Sequence, residues 1–162
     1  MIGVDEAQAR MLALASPLPP MECDLLDARG AYLAGPLLAK RTQPAADLSA
    51  MDGYAIRFAD IPGPWCVIGE SAAGRPFADS MAAGNAVRIF TGAHVPQGAD
   101  TILIQEDAVR DGDTLTLAGS GPSRLAEFVR AKGSDFASGD ALITAGSLVN
   151  AGAIALAAMA GY

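Results

Sequence analysis

The sequence predicts an α+β chain that is mainly β, with a small barrel- or sandwich-like β domain inserted between two flanking segments that pair with each other. Three observations predict it. Short β-prone runs fill the middle of the chain and are separated by Gly, Pro and Asp clusters. Helical periodicity is confined to the two ends. A polar, proline-containing stretch from Thr42 to Asp47 marks a change of texture between the first end and the middle.

From the start of the chain, Val4, Ala7, Met11 and Leu14 recur at helical spacing and predict an amphipathic helix from Val4 to Ala15. Asp5 and Glu6 fall in its first turn, where the positive end of the helix dipole favours them. Ser16-Pro17 and Pro19-Pro20 stop it, because proline lacks the N–H that the next turn needs. Glu22 to Leu26 reads as a short strand, Asp27 to Leu33 as a short helix capped by Asp27, and Leu37 to Arg41 as extended chain. The β pattern then runs from Ser49 to Leu117. Its strands are Tyr54 to Phe58, Trp65 to Ile68, Val87 to Phe90, Thr101 to Gln105 and Thr114 to Leu117. Turns fall at Pro62-Gly63-Pro64, Gly74-Arg75-Pro76 and Asp111-Gly112-Asp113. Gly119 to Ser123 reads as a flexible link, and Phe128 to Ala131 and Asp140 to Ile143 as further extended pieces. Asn150 caps a last helix from Ala151 to Ala160, with Gly161 as its C-terminal stop.

Composition narrows the function classes. The chain has 162 residues, 51% hydrophobic and 18% charged, so a folded core is expected and global disorder is not. Aromatics are only 6%, and much of the apolar content is alanine, which predicts a core of small side chains. A net charge of -7 repels phosphate backbones and argues against nucleic acid as a partner. The basic residues Arg124, Arg130 and Lys132, and the pair Lys40-Arg41, read as solvated loop charges. Cys23 and Cys66 have no metal-ligand spacing; two buried thiols are the simpler reading, with a structural disulfide as the alternative. The opening residues lack the pattern of a secretory signal, and the longest apolar run, Ala151 to Ala160, is about half the ~20 residues of a membrane span. A soluble, cytoplasmic protein is expected.

Two segments can carry chemistry. In Ser49-Ala50-Met51-Asp52-Gly53-Tyr54-Ala55 an Asp-Gly turn leads into a strand, glycine accepting positive φ, and presents a short carboxylate at a loop tip. Such a carboxylate can coordinate Mg²⁺ or order its water shell. In Arg88-Ile89-Phe90-Thr91-Gly92-Ala93-His94-Val95-Pro96 a strand runs out into a hydroxyl beside a glycine, where backbone amides can approach an oxyanion. His94, the only histidine, reads as a hydrogen-bonded or solvated bystander on a turn, and Gln105-Glu106-Asp107 as a solvated strand terminus. No nucleophile elbow, GxGxxG or P-loop spacing is present.

Taken in order, these segments resemble the molybdopterin molybdenumtransferase family, which comprises MoeA and the E domain of gephyrin. The resemblance rests on Val4-Asp5-Glu6-Ala7, Ser49 to Ala55, Gly69-Glu70 with Ala73-Gly74, and Ala86 to Ala93 with Pro96 and Gly98-Ala99-Asp100. It continues through Gln105-Glu106, Arg130-Ala131-Lys132-Gly133 with Asp135, Gly139, Gly146, and the closing Ala157-Ala158 with Gly161, and so covers nearly the whole chain. The resemblance implies insertion of molybdate into adenylylated molybdopterin with release of AMP, dependent on a divalent cation, usually Mg²⁺. It implies an elongated homodimer in which a discontinuous α/β domain, here residues 1–43 and 124–162, receives a β domain, here 44–123. It also implies that Asp52 and Thr91 lie at the active-site cleft, Asp52 serving the metal or its waters and Thr91 hydrogen bonding to substrate or neighbouring backbone.

Two departures from the family pattern bear on the site. The usual Phe-Asp-Asn-Ser before the motif is Ala46-Asp47-Leu48-Ser49, which could alter how the loop packs. The usual Gly-Glu-Asp is Gly133-Ser134-Asp135, one carboxylate fewer, and no role passes to Ser134. Family members continue beyond the position of Tyr162 into a molybdopterin-binding α/β domain, so these residues are expected to be inactive alone, because phosphoryl chemistry needs several charges around one metal-bound diphosphate. The alternative expectation is a stand-alone binding or dimerisation module that kept the fold without the chemistry.

Overall fold

A computed structural model describes residues 2–16 and 18–162. Helix α1 (Val4–Leu12) is followed by strands β1 (Leu37–Leu38), β2 (Leu48–Ser49), β3 (Gly53–Ile56), β4 (Trp65–Ser71), β5 (Asn85–Ile89), β6 (Thr101–Ile104), β7 (Ala108–Asp111), β8 (Thr114–Leu117), β9 (Val129–Arg130) and β10 (Ala141–Ile143), and by helix α2 (Ala151–Ala160). The main sheet has six strands in the order β6-β3-β5-β4-β8-β7. All its pairings are antiparallel except β4 with β5. It is the curled, barrel-like β body that the strand pattern predicts.

The period of two along the strands explains why both faces of this sheet are covered. Tyr54 and Ile56 point to one side with Trp65, Val67, Ala86, Leu103 and Leu115. Ala55 points to the other with Val87, Ile89, Ile102, Met81 and Ala93. All four residues of β3 are therefore buried. The core is not made of small side chains alone: Ala55, Ala86 and Ala93 are in it, but Trp65, Ile56, Ile89, Ile102, Leu103 and Leu115 fill it. The scarce large residues are drawn inward because each removes more apolar area from water.

The segments on either side of the sheet meet. β1 pairs with β10 and β2 with β9. Ala39, Phe136 and Ala160 form a third, smaller core. α2 begins where expected: the Asn150 side chain accepts from the Ala153 N–H at 2.9 Å, and Gly161 at φ 103 ends the helix in the left-handed region. Lys40 and Arg41 are not idle loop charges. Arg41 donates to the Met159 and Ala158 carbonyls, capping the last turn of α2, and the Lys40 ammonium sits 3.7 Å from the centroid of the Tyr162 ring.

Several local expectations are corrected. α1 ends at Leu12 rather than Ala15, and Pro17, part of its expected stop, lies outside the described residues. Glu22 to Leu26 is not a strand and Asp27 to Leu33 is not a helix; turns occupy Leu25 to Gly30. The available partner backbone is taken by the next stretch, since Gly30 and Leu33 donate to Val149 and Ser147, and Val149 donates to Ala31. Without a ladder a four- or five-residue extended run has nothing to hold it. β7 was not expected as a strand; it forms a hairpin with β8 around Gly112 at φ 58. The stretch at Gly119 to Ser123 is not a flexible link, because Asp107 accepts from Ala118 and Gly119 through its carbonyl and from Gly121 through its carboxylate. Cys23 and Cys66 are both free and exposed, not buried.

Candidate functional site

The topology brings Asp52 and Thr91 together. β3 is antiparallel to both of its neighbours, with Gly53 opposite Ile89 of β5 and Ile104 of β6. The start of β3 therefore lies beside the ends of β5 and β6. Asp52 precedes β3, Phe90 and Thr91 follow β5, and Gln105 and Glu106 follow β6, so all emerge at one edge of the sheet.

There the Thr91 backbone N–H donates to Asp52 Oδ1 at 2.7 Å and the Thr91 hydroxyl donates to the same oxygen at 2.8 Å. These two bonds, backbone first, hold the Asp52 carboxyl below its ordinary range; partial burial opposes them and the Arg88 charge assists. Asp52 is half-buried and Thr91 exposed. A carboxylate so held is a poor proton acceptor near neutral pH and a good partner for a cation or a hydrogen-bond donor.

Gly53 is required for a different reason from the one the turn chemistry suggests. It is absent from the positive-φ glycines and lies inside β3. A Cβ there would fall onto the Leu103 carbonyl oxygen and 2.9 Å from the Ile104 Cα, so glycine is needed for the close approach of β3 to β6. Gly92, at φ 81 with open space around it, is the glycine that turns the chain.

Two buried serines hold these loops, and sequence reasoning assigned neither a role. Ser49, 1% exposed, donates its hydroxyl to the Met51 carbonyl at 2.6 Å, while its backbone exchanges bonds with Ala93 and Gly92. It thereby ties the Asp52 turn to the Thr91 turn. A serine two residues before a bend is a recognised turn former, so this signal was present. Ser71, fully buried, donates to the His94 carbonyl at 2.7 Å, and its own carbonyl accepts from Phe90. Nothing in the sequence marks it. His94 contributes its backbone, and its exposed ring takes part in no hydrogen bond among the described residues.

The departures at Ala46 and Leu48 leave the loop anchored. The loop is fastened through Ser49 and through Asp47, whose carbonyl accepts from Val95 and whose Oδ1 accepts from the Lys132 N–H at 2.7 Å. This places Arg130-Ala131-Lys132-Gly133 beside the site, with Arg130 paired to Asp135 at 3.5 Å and no hydrogen bond to the Ser134 side chain among the described residues. Glu106 is exposed, and Gln105 Nε2 donates to it at 3.4 Å.

Among the described residues no group of three or more His, Cys, Asp or Glu could enclose a metal ion. Asp52 Oδ1 is occupied by Thr91, and no donor among the described residues reaches Oδ2. One free carboxylate oxygen suits Mg²⁺ held mainly by waters and substrate oxygens, not a closed all-protein site. The site is open surface. A cavity of about 580 Å³ elsewhere, lined by Leu25, Leu33, Leu37, Ile143, Val149 and Ala157 among others, includes none of its residues.

Comparison with known proteins decides the family. Residues 2–161 match the family model described as "MoeA N-terminal region (domain I and II)".

The chain belongs to the MoeA family.

It is 33% identical over 150 residues to the molybdopterin molybdenumtransferase of Haemophilus influenzae, covering 91% of this chain and 37% of that protein. It is 35% identical over 142 residues to the Nostoc molybdopterin molybdenumtransferase (83% and 32% covered), and 33% identical over 168 residues to that of Staphylococcus aureus (99% and 40%). Among solved structures, the MoeA molybdopterin biosynthesis protein of Pyrococcus horikoshii superposes with a TM-score of 0.85 at 26% identity, over 96% of this chain and 41% of that one. The chain thus spans well under half the length of the MoeA relatives it matches. No helix among the described residues is long and apolar enough to cross a membrane.

Proposed function

We propose that this chain is the N-terminal part of a molybdopterin molybdenumtransferase, which inserts molybdate into adenylylated molybdopterin with release of AMP. The observation that carries the reading is the pairing of Asp52 with Thr91, at 2.7 and 2.8 Å, at one sheet edge of a chain that matches the family along its length. In this reading Asp52 Oδ2 serves Mg²⁺ or its waters, and Thr91 fixes the carboxylate and offers its hydroxyl oxygen to substrate. Mg²⁺, when bound with substrate, would neutralise charge on the leaving phosphate.

The residues divide, on this proposal, into a discontinuous domain, 1–43 and 124–162, and an inserted β domain, 44–123. The protein works as a cytoplasmic homodimer. These residues alone do not turn over, since one carboxylate and one hydroxyl cannot organise a diphosphate, and the relatives supply more than half of their length from elsewhere. The test is Mg²⁺-dependent molybdate insertion, followed by AMP release, in a full-length protein containing this chain. Asp52→Ala should depress it with an unchanged circular-dichroism spectrum. Unchanged activity removes Asp52 from the site, and turnover by residues 1–162 alone overturns the fragment reading.

A second reading, a binding or dimerisation module without the chemistry, is favoured by one feature. α1 buries none of its residues, and Val4, Met11, Leu12 and Leu14 are exposed. A chain that forms dimers by sizing in solution, joined to a full-length protein with no transferase activity, would select it.

A further inference from the structure

Arg88 is half-buried on β5, opposite Tyr54 of β3. Its side chain lies across β3, which stands between β5 and β6. Nη1 donates to the Gly53 carbonyl at 3.1 Å and Nη2 to Gln105 Oε1 at 2.8 Å. The guanidinium carbon is 5.3 Å from the centroid of the Tyr54 ring and 4.8 Å from that of Phe90. One side chain is thus bonded or stacked to residues at the ends of each of the strands β3, β5 and β6, from which Asp52, Thr91 and Gln105 emerge.

The bonds close a circuit. Arg88 holds the Gly53 carbonyl, Gly53 is covalently joined to Asp52, the Asp52 carbonyl accepts from the Gln105 N–H at 3.1 Å, and the Gln105 side chain returns to Arg88. Asp52 is held through its backbone on both sides as well as through its carboxylate. Gly53 is paired with Ile89 and Ile104 in the ladders, and the Arg88 bond adds a side-chain tie at its carbonyl. A planar guanidinium presents its donors in a fixed fork while it lies against aromatic rings; an ammonium is a compact point charge with no such plane.

We propose that Arg88 is a positioning residue of the site: a cross-strand strap that keeps the Asp52, Thr91 and Gln105 ends of three strands in register. The inference rests on the reading of Asp52 and Thr91 as the working residues. It is tested without substrate, so a failed transferase assay and a failed strap give different results.

The experiment is residue-resolved amide hydrogen exchange on this chain, comparing wild type with Arg88→Met, which keeps the apolar stem, and Arg88→Lys, which keeps the charge. The Thr91 and Gln105 N–H groups, which donate to Asp52, should exchange about tenfold faster or more in both variants, while β4 and β8 amides such as Val67 and Leu115 keep their wild-type rates. Equal acceleration throughout the sheet would make Arg88 a general stabiliser and overturn the proposal. So would unchanged Thr91 and Gln105 rates in Arg88→Met. Wild-type rates in Arg88→Lys would overturn it as well, because charge alone would then hold the strand ends without the guanidinium fork.

Discussion

Substituting Gly53 separates two accounts of why glycine stands in the Asp52 motif. If Gly53 served a turn, it would need positive φ, and asparagine would replace it better than alanine. The structure instead puts it inside β3, where a Cβ meets the Leu103 carbonyl oxygen and comes within 2.9 Å of the Ile104 Cα and 3.0 Å of the Leu103 carbonyl carbon. These are backbone atoms of β6, held by the β3–β6 ladder, so no rotamer change relieves the clash. Overpacking costs about 1–3 kcal/mol, and rigid backbone neighbours put Gly53→Ala near the upper end. At roughly 2–4 °C per kcal/mol for a chain of this size, about 3 kcal/mol lowers Tm by roughly 6–12 °C. Gly92 is the control: with φ 81 and nothing within 4 Å, Gly92→Ala should cost only the left-handed strain, about 1–2 kcal/mol, and Gly92→Asn less. Urea unfolding followed by fluorescence of Trp65, the single tryptophan and 2% exposed, measures all four variants. Gly53→Asn should be no better than Gly53→Ala. A near-wild-type midpoint for Gly53→Asn with a lowered one for Gly53→Ala would refute the close-approach argument.

Other outcomes follow from the same geometry. The folded Asp52 carboxyl titrates below its unfolded value, so its stabilisation is present above the ordinary aspartate pKa of about 3.9 and is lost as pH falls through the lowered folded value. The stability gap between wild type and Asp52→Asn, from urea unfolding at a series of pH values, should therefore be flat near neutrality and shrink in acid; a gap that widens in acid contradicts the Thr91 bonds. Ser49→Ala strands the backbone groups that its hydroxyl serves and should cost about 1–3 kcal/mol, checked by the shift in urea midpoint. Asn150→Ala removes the α2 cap and should cost about 1 kcal/mol, with Asn150→Asp nearly neutral in the same assay. Both thiols should react with a thiol reagent before unfolding, because Cys23 and Cys66 are exposed; protection of either would contradict the surface described.

Part of the candidate site's geometry was legible because it is local. Asp52 and Thr91 each sit in a short motif beside a glycine, although only Gly92 turns the chain, and the strand runs that deliver them carry their own alternation. Asn150 and Gly161 marked the ends of α2 for the same reason: caps and stops act within one turn. Ser71 and Arg88 were not legible as parts of the site. Their partners, His94 and Phe90 for the one and Gly53 and Gln105 for the other, become neighbours only when strands pair. The stretch from Glu22 to Leu33 was misread on the same ground, since its last residues, Gly30 to Leu33, take the Ser147 to Val149 backbone as their partner, which leaves Glu22 to Leu26 without a ladder and Asp27 to Leu33 without a helix.

The sequence by itself determined the mainly β class, a helix near each end of the chain, the net negative charge and the two motifs that carry the family resemblance, because each depends on residue type at short spacing. Only the tertiary structure decided which motif residues touch, why Gly53 must lack a side chain, and which loops are fastened. Those depend on register: an antiparallel ladder sets the start of one strand against the end of another, and no local preference encodes that distance.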